Sequence, residues 1–587
     1  MFPSKNSAPA NDLDAQQCEE QRLMRLVIVG GVAGGMSCAA RARRLDEDAE
    51  IIVLERGDVV SFANCGLPYF VGGEIETAEA LLVQTPEKLK AALALDVRPR
   101  HDVIGVDVEA RRVTVRTENG VADIDYDALV LSPGAYAVRP PLPGLDSPRV
   151  HTLRTVADAV AMRSRVTAGA TRAVVLGGGF IGVEAAEALR RQGLSVDVVE
   201  LSSHVLPPLE PEMASLVTDE MRRDGMIVHE GVGAVSVAHG SHEDVVTLTD
   251  GTELPADIIV LSIGVRPDTA VFEAAGIGCE RGAITVDEHG RTSAPNVWAV
   301  GDAVVSTDAV TGARRPVALA GPANRAGRLV ADDIFHPETA RPIPHPVGTA
   351  ILRMGRLTAA ITGANRASLD SAGIAYETLH LHPNQHAGYF PGAASIHLVI
   401  HFSSGDGLIV GAQAVGAEGV DKRIDILATA IRNSMTIADL VDLDLSYSPP
   451  YGQAKDPINL AGMEGDNVLS GVITLWYAAD IDAVLESSLV LDVRSAEEFA
   501  TGHLPGALNI AHTELRGRLD EVVLAAAGRP VRVMCASGVR SYIAHRVLSQ
   551  NGINSATLSG GMLTLRASLP DHARSYLASA DNLVIAR

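Results

Sequence analysis

Short runs of β-branched and other apolar residues recur along this chain, and each breaks off at a glycine-rich turn. The first run, 25–29, leads into the turn 30–35 (GGVAGG) and then into a segment rich in Ala and Arg through Leu45. A second apolar run, 51–54, ends on Glu55. This order predicts strand, turn, helix and strand, the arrangement that binds a dinucleotide. The glycines admit a pyrophosphate, the helix N-terminus stabilises its charge, and the acid accepts hydrogen bonds from a ribose.

The same order appears again further along the chain. The apolar run 173–176 leads into the turn 177–182 (GGGFIG), a predicted helix over 183–192, and a predicted strand over 195–199 that ends on Glu200. The second turn matches the pattern G-x-G-x-x-G in full. Two such units in one chain favour nucleotide binding over two unrelated tight turns.

The residues after the second acidic strand end indicate which nicotinamide cofactor binds. Leu201-Ser202-Ser203 contains no lysine or arginine. A 2′-phosphate would therefore meet the negative charge of Glu200 without a compensating cation, which predicts a preference for NADH over NADPH.

Three more apolar runs stop at glycine turns, and one further stretch carries a thiol. The runs are 126–134, 258–267 and 296–303. The stretch 61–69 (SFANCGLPY) places Cys65 in a turn between the two nucleotide units. A free cysteine is usually a small buried hydrophobe. The position of Cys65 favours a redox centre that the flanking sequence keeps as a thiolate, because the thiolate is the nucleophile.

Composition narrows the class of protein. The 587 residues, 47% hydrophobic and 21% charged, predict three to five domains of roughly 100 to 200 residues each. The net charge of −23 argues against nucleic acid as a partner. No apolar run reaches membrane-spanning length, and the polar opening lacks a signal-peptide core, so we expect a disordered tail and no membrane association. The five cysteines form no paired framework, which predicts a reducing, cytoplasmic location.

Between 346 and 462 the pattern shifts to short strands and one helix, predicted over 422–433. The histidines His380, His382 and His386 lie around Pro383 without metal-ligand spacing. We therefore expect a surface loop there, and no metal site. A short polar linker is predicted near 463–467.

The last segment begins at about 467 and reads as a separate α/β module. Leu489 to Arg494 is a buried-type strand, and 531–535 is a second one that ends on Cys535. The loop 535–540 (CASGVR) then opens a predicted helix over 541–549. Loop amides, a helix N-terminus and Arg540 are all expected to lower the pKa of the Cys535 thiol.

These motifs together resemble two-dinucleotide-binding-domain flavoprotein disulfide reductases over about residues 25 to 465. The resemblance implies that the first turn, in which Val32 stands where a second glycine is expected, holds FAD, and that the second turn holds NADH. The implied FAD contacts are Gly30, Val32, Ala33, Gly34, Glu55, Arg56, Pro133, Gly134, Gly301 and Asp302. The implied NADH contacts are Gly177, Gly179, Phe180, Ile181, Gly182, Glu200 and Gly264.

The cysteine pattern separates the subfamilies. Dithiol reductases carry C-x4-C, but Phe70 stands five positions after Cys65. Peroxide- and oxygen-reducing members typically carry a histidine in the first glycine turn, which here contains none. The stretch 61–69 is similar to that of coenzyme A disulfide reductases. The resemblance implies that Tyr389 and Tyr447 reach across a homodimer to the partner's thiol and coenzyme A. Further implied coenzyme A contacts are Arg44, Ser61, Asn64 and Lys455.

The C-terminal 110 residues or so resemble rhodanese sulfurtransferases through 492–494 (DVR) and 502–507 (GHLPGA). In that family a short loop of this kind carries a persulfide on its cysteine. The resemblance implies that Cys535 and Arg540 form an active site.

The expected fold is α/β, with two Rossmann-like nucleotide-binding domains, an α+β dimerisation domain and an α/β rhodanese domain. The expected function is an FAD- and NADH-dependent reductase of coenzyme A disulfide, persulfides or polysulfides. An NADH oxidase or peroxidase with an accessory rhodanese, and a non-enzymatic redox sensor, remain as alternatives. The predicted boundaries are 1–24 for the tail, 25–148 and 271–344 for the FAD domain, 149–270 for the NAD domain, 345–466 for the dimerisation domain and 467–587 for the rhodanese.

Overall fold

The structure is a computed structural model that describes residues 23–569 and Leu577. The predicted disordered tail therefore falls almost entirely outside the described residues. One-turn 3₁₀ helices cover Asn64–Gly66 and Ala78–Leu81. The first elements are β1 (Arg25–Val29), α1 (Ala33–Leu45), β2 (Glu50–Leu54), α2 (Leu67–Val71), α3 (Pro86–Leu93), β3 (Asp96–Arg98), β4 (Asp102–Asp107), β5 (Arg112–Thr117), β6 (Gly120–Asp125), β7 (Ala128–Leu131) and β8 (Ala135–Ala137).

The second nucleotide-binding unit follows, and its helix after the glycine turn begins three residues earlier than the sequence predicts. Its elements are β9 (Val150–His151), α4 (Val156–Thr167), β10 (Arg172–Leu176), α5 (Phe180–Arg191), β11 (Ser195–Glu200), α6 (Pro211–Arg223), β12 (Ile227–Glu230), β13 (Ala234–Ala238), β14 (Asp244–Leu248), β15 (Glu253–Ala256), β16 (Ile258–Leu261) and β17 (Val265–Pro267).

The chain then returns to the first unit. The returning elements are α7 (Ala270–Ala274), β18 (Cys279–Glu280), β19 (Ala283–Ile284), β20 (Val297–Ala299), β21 (Val305–Thr307), β22 (Arg314–Pro316) and α8 (Ala320–Phe335). The first parallel sheet has the order β20-β7-β1-β2-β3, so its edge strand comes from this distant segment. The second parallel sheet has the order β12-β11-β10-β16-β9. In both sheets the central strand leads into the glycine turn, which places both turns at carboxyl ends of strands, where α/β sheets bind ligands.

The third region is an antiparallel sheet of order β23-β24-β27-β26-β25 that packs on a helix. Its helix α10 begins two residues before the predicted start. A 3₁₀ helix covers Ala438–Asp442. The elements are β23 (Ala350–Met354), β24 (Leu357–Gly363), α9 (Arg366–Ala372), β25 (Tyr376–Leu381), β26 (Ile396–Ser403), β27 (Ile409–Gly416), α10 (Val420–Arg432) and α11 (Pro457–Leu469).

The last region is a five-stranded parallel sheet of order β28-β32-β31-β29-β30. Short 3₁₀ helices cover Ala478–Asp480 and Leu515–Gly517. The elements are β28 (Leu475–Trp476), α12 (Ile481–Ser487), β29 (Leu489–Asp492), α13 (Ala496–Ala500), β30 (Leu508–Asn509), α14 (Leu519–Ala526), β31 (Val531–Met534), α15 (Val539–Gln550), β32 (Ser555–Leu558) and α16 (Gly561–Ser568). No helix within residues 23–569 is long and apolar enough to cross a membrane.

The predicted polar linker at 463–467 is wrong, because these residues lie inside helix α11. The helix begins with Asp456 as its N-cap and Pro457 in its first turn, and Asp456 and Asn459 form a reciprocal capping box. The connection between the third and fourth regions is therefore a rigid helix followed by a few residues.

Candidate functional site: a thiol in a nucleotide-binding cleft

Cys65 lies on the wall of a cleft of about 2100 Å³ between the first three regions. It sits in the 3₁₀ helix before α2 and is exposed. Ser61 holds the entry to this turn with a positive φ of 47°, which is uncommon outside glycine. The Ser61 N–H donates to the carbonyl of Gly31 at 2.8 Å, so the thiol loop is bonded directly to the first glycine turn.

The charges around Cys65 differ from the sequence-based expectation. Although Cys65 is exposed to the cleft, partial desolvation by the cleft wall raises the pKa of its thiol, and the negative charges of Glu184 and Asp302 raise it further. The expectation that the flanking sequence keeps a thiolate is wrong for the chain alone, because carboxylates from two other segments face the sulfur. Burial also raises the pKa of Glu184 to about 7, and the phenol of Tyr69 donates to its carboxyl at 3.4 Å.

The first glycine turn packs tightly against neighbouring backbone. Gly30 has a φ of +101°, and an added Cβ would lie 2.0 Å from the carbonyl oxygen of Ser132. An added Cβ at Gly35 would lie 2.0 Å from the carbonyl oxygen of Gly30. Gly35 is therefore the third glycine of the fingerprint, and the spacing of the motif could have identified it. The Glu55 carboxylate accepts from the N–H groups of Gly31 and Gly57 at 2.8 and 2.7 Å.

The second glycine turn has the same construction. An added Cβ at Gly182 would lie 1.8 Å from the carbonyl oxygen of Gly177, so the turn and α5 touch through bare backbone. Gly179, at the N-cap of α5, has no neighbouring atom within 4 Å of such a Cβ and faces open space. The Glu200 carboxylate is buried and accepts from the N–H groups of Gly178 and Ser202, each at 2.7 Å.

Some of the other predicted nucleotide contacts line the cleft, and the rest lie beside it. Arg56 pairs with Asp268 and also donates to the Pro133 carbonyl at 3.3 Å. Asp302 lies in the cleft, 3.6 Å from the Arg154 guanidinium. Burial raises the pKa of Asp302 and Arg154 opposes that shift. The cleft is also lined by Val32, Ala33, Gly177, Gly179, Phe180, Ile181, Glu200 and Gly264. Five others, Gly30, Gly34, Gly134, Gly182 and Gly301, shape the adjacent backbone.

The predicted coenzyme A contacts divide between the cleft and the surface. Arg44, Ser61 and Asn64 line the cleft with Cys65, whereas Lys455 is exposed and does not line it. The cleft also contains the cation Lys88 and the amide Asn324, which sequence reasoning missed. No local motif marks either position, because both come to the cleft only through the packing of α3 and α8.

Tyr389 and Tyr447 come together on the third region. Their hydroxyl groups lie 3.1 Å apart, and both side chains are exposed. The hydrogen bond to Tyr447 raises the pKa of Tyr389. Neither lines the cleft of its own chain.

The predicted surface loop of histidines is wrong. His380 lies on strand β25 and is buried, with its ring nitrogens 2.9 Å from Glu212 and 2.9 Å from Ser559. His382 follows it, and its ring nitrogens lie 2.8 Å from His397 and 2.8 Å from Thr564. His386 is also buried. A sheet edge covered by two other domains holds these rings, and the local sequence could not show that cover. No cluster of metal-binding side chains occurs within residues 23–569.

The second cysteine site lies in the fourth region. Cys535 directly follows β31 and is buried, and the Gly538 N–H donates to its sulfur at 3.2 Å. The α15 helix begins at Val539, two residues before the predicted start. The guanidinium of Arg540 donates to both oxygens of Glu498, at 2.6 and 2.7 Å.

Comparison with known proteins identifies this architecture. The pyridine nucleotide-disulphide oxidoreductase model matches residues 24–322. The dimerisation domain of the same family matches 352–456, and the rhodanese-like domain matches 476–567. The chain belongs to the pyridine nucleotide-disulphide oxidoreductase family, and it carries a C-terminal rhodanese-like domain. The predicted fold class and the predicted oxidoreductase class are confirmed.

Individual relatives cover most of the chain. It is 32% identical over 444 residues to a coenzyme A disulfide reductase of Staphylococcus haemolyticus, covering 75% of this chain and 99% of the relative. The reduced CoADR-RHD of Bacillus anthracis superposes with a TM-score of 0.91 at 38% identity, covering 94% and 99% of the two chains. An NAD-dependent persulfide reductase from A. fulgidus gives a TM-score of 0.86 at 35% identity, covering 92% and 100%.

Proposed function

We propose that this protein is an FAD- and NADH-dependent reductase of coenzyme A disulfide, coenzyme A persulfide or polysulfides, working through Cys65. The observation that carries the proposal is that Cys65 and four residues of the second glycine turn, Gly177, Gly179, Phe180 and Ile181, border one cleft. A cofactor held in this cleft would therefore lie within reach of both the thiol and the second glycine turn. The names of the relatives support a sulfur substrate.

The first glycine turn fits FAD. Gly30 and Gly35 pack directly against neighbouring backbone, and this allows the tight turn that sets the N-terminus of α1 at the end of β1, where a pyrophosphate binds. Glu55 fixes the turn, and Asp302 and Arg154 lie on the cleft side. Bound FAD would relay two electrons from the nicotinamide to sulfur at Cys65.

The residues of the chain itself carry the substrate chemistry. The Cys65 thiolate attacks one sulfur of coenzyme A disulfide, the S–S bond breaks, and one coenzyme A leaves as a thiolate while the other stays in a mixed disulfide. With a persulfide, the outer sulfur transfers to Cys65, and two-electron reduction releases it as hydrogen sulfide. Tyr447 of the partner subunit, in the proposed homodimer, is positioned by Tyr389 and protonates the leaving thiolate. Arg44 and Lys88 bind phosphates.

We assign the second glycine turn to NADH. The Glu200 carboxyl accepts backbone hydrogen bonds beside the turn, and Leu201 and Ser202 offer no cation to a 2′-phosphate. Because both Glu200 oxygens hold backbone N–H groups, Glu200→Gln is expected to lower the affinity for NADH and to weaken discrimination against NADPH together. A wild-type enzyme that prefers NADPH would contradict this assignment.

The test of the reductase is Cys65→Ser in the FAD-loaded protein. We expect the variant to retain FAD and to lose NADH-driven reduction of coenzyme A disulfide and coenzyme A persulfide. Retained turnover with either substrate would overturn the role of Cys65. An NADH oxidase or peroxidase is the second candidate, because Cys65 is a single thiol able to form a sulfenic acid. Faster turnover with oxygen or peroxide than with any sulfur substrate would favour it.

We also propose that Cys535 is an active sulfurtransferase centre. The Gly538 N–H already contacts its sulfur, as a persulfide loop requires. Cys535→Ser is expected to spare NADH-driven reduction of small coenzyme A disulfide and to slow hydrogen sulfide release from bulky or protein-borne sulfane donors. Equal rates with every donor would show that the module serves binding.

A further inference from the structure

We propose that the Cys535 site takes sulfur from organic persulfides with an apolar arm and discriminates against thiosulfate. The inference rests on the proposed sulfurtransferase role of Cys535 and adds its donor class. It follows from two features of the entrance to the loop, its charge and its apolar rim.

The charge at the entrance is cancelled within the protein. Arg540 is the single basic residue of the loop 535–540. Both of its terminal nitrogens donate to Glu498, in a two-bond fork of 2.6 and 2.7 Å, and its side chain also interacts with the Cys535 thiol. The bond from Arg540 lowers the pKa of Glu498 to about 2, so the carboxylate is charged at neutral pH. A dianion approaching Cys535 therefore meets an ion pair of zero net charge.

Glu498 cannot easily move aside. Its N–H donates to the Ser495 hydroxyl and its carboxylate accepts from the Ser495 N–H, which together form the capping box of helix α13. Its carbonyl accepts from the Arg494 guanidinium at 3.1 Å. The carboxylate is thus held opposite Arg540 by the backbone of α13, and Glu498 is a positioning residue for that cation.

The rim of the loop is apolar. Val539, the first residue of α15, is 67% exposed, and Ile543 lies one turn further on the same face with 39% exposed. Leu563 is 41% exposed, and its N–H donates to the Ala536 carbonyl at 3.0 Å, so α16 contributes to the same rim. Exposed aliphatic side chains next to a reactive loop lose water contact when an apolar donor binds.

An organic persulfide and thiosulfate both transfer their outer sulfur atom to Cys535, but they release different leaving groups. The Cys535 thiolate attacks the outer sulfur of an organic persulfide RS–SH, the S–S bond breaks, RS⁻ leaves, and Cys535 becomes a protonated persulfide. With thiosulfate the same attack expels sulfite, and two negative charges must be held near the loop throughout. The Gly538 N–H stabilises the bound sulfur in either case, so discrimination falls to the neutralised guanidinium and the apolar rim.

The experiment uses the FAD-loaded full chain without NADH, with cyanide as acceptor and thiocyanate as product. The donors are thiosulfate and benzyl persulfide, and rates are taken above those of Cys535→Ser. We expect wild type to use benzyl persulfide at least about tenfold faster, the effect of one charge-assisted hydrogen bond that thiosulfate cannot make. Glu498→Gln, which releases Arg540, should accelerate the reaction with thiosulfate. The ratio of the benzyl persulfide rate to the thiosulfate rate should therefore fall about tenfold.

A second variant acts without breaking the ion pair. Val539→Lys is expected to accelerate thiosulfate and slow benzyl persulfide. Matched controls in the same module are Glu521→Gln, whose partner is Arg518, and Leu524→Lys, on exposed α14 positions. They should leave the ratio unchanged.

Comparable wild-type rates with the two donors would overturn the proposal, as would an unchanged ratio in both Glu498→Gln and Val539→Lys. If neither donor yields thiocyanate above the Cys535→Ser rate, the sulfurtransferase role of Cys535 fails and the donor class with it. NADH-driven turnover through Cys65 is measured separately and does not depend on this result.

Discussion

The hydroxyl group of Tyr69 donates a hydrogen bond to the carboxyl group of Glu184 at 3.4 Å, which joins the helix after Cys65 to the helix after the second glycine turn. The thiol loop and the nucleotide turn are thus linked through one titratable group. Because burial raises the pKa of Glu184 to about 7, that group gains its charge in the physiological range.

Replacing Glu184 with Gln should make Cys65 more reactive. The variant removes a negative charge that raises the pKa of the thiol. Alkylation of Cys65 by iodoacetamide, followed on its peptide by mass spectrometry, is expected to be roughly two- to fivefold faster at pH 8. The difference should shrink below pH 7, where Glu184 is protonated in the wild type. Exposed Glu109→Gln is the control, and equal rates at pH 8 would contradict the prediction.

Two glycines of the second turn should respond oppositely to alanine. Gly182→Ala places a methyl group 1.8 Å from the Gly177 carbonyl oxygen. It should lower stability by about 1–3 kcal/mol. Gly179→Ala enters open space, so its melting temperature should stay at the wild-type value while the KM for NADH rises about tenfold. An unchanged KM in Gly179→Ala would show that the pyrophosphate does not pass this residue.

The junction with the rhodanese module depends on Glu212. Burial acts to raise the pKa of this carboxyl, but the hydrogen bond and charge of His380, together with Arg366, lower it to about 2. A lowered folded pKa gives stability that is present above the ordinary pKa of about 4.5 and lost as the pH falls towards 2. Glu212→Gln should therefore destabilise the junction by about 1–3 kcal/mol at pH 7.

Hydrogen exchange in β25 and α16 is the measurement, because His380 of β25 bonds Ser559 of the rhodanese module and α16 packs on α6, the helix that carries Glu212. Faster exchange confined to them is expected at pH 7, with wild type approaching the variant as the pH falls below 4. Glu253→Gln, on the surface of the same nucleotide-binding domain, is the control. Protection of β25 and α16 equal to wild type would contradict the role of Glu212.

Glu464 should make the protein less stable as the pH rises. Burial in α11 raises its pKa to about 7. The folded state then holds a proton that the unfolded state loses, so stability is full below about pH 4.5 and falls through pH 7. Glu464→Gln removes this loss. Because the side chain retains some exposure, we expect a gain of roughly 1–2 kcal/mol at pH 8 and none at pH 4, read from thermal melting. A gain of equal size at both pH values would assign it to packing instead.

Much of the fold could be predicted because its signals are local. A strand that ends in a glycine turn and runs into a helix needs no distant contact to be recognised, and Gly30 and Gly177 both adopt a positive φ at these turns. The helix α11 had a local signal too, since Asp456, Pro457 and Asn459 form its cap. The polar residues at 463–467 nevertheless favoured a linker over a continuing helix in the sequence-based prediction.

The electrostatics of the site could not be predicted. Glu184 lies 119 positions after Cys65, so no spacing rule connects them, and only the packing of α2 against α5 brings the carboxyl towards the thiol. The buried state of His380 depends in the same way on Glu212 and Ser559, which come from two other domains. Contacts of this kind follow from tertiary packing, and a single sequence carries no record of it.

The helix α11 and the polar junction at His380 together change what the fusion of the two modules can achieve. A flexible tether would let Cys535 explore a volume whose size depends on the length of the connection. Here the position of the rhodanese module is set by surfaces: Ser215 donates to the Ala567 carbonyl at 2.9 Å, and Tyr477 donates to Glu377 at 3.3 Å. Lengthening the connection at Ser470 to Val472 by a few residues should therefore leave the module in place. The two modules are therefore held in one fixed arrangement. The distance over which sulfur can pass between Cys535 and Cys65 then depends on the molecule that carries the sulfur, and not on the length of the connection.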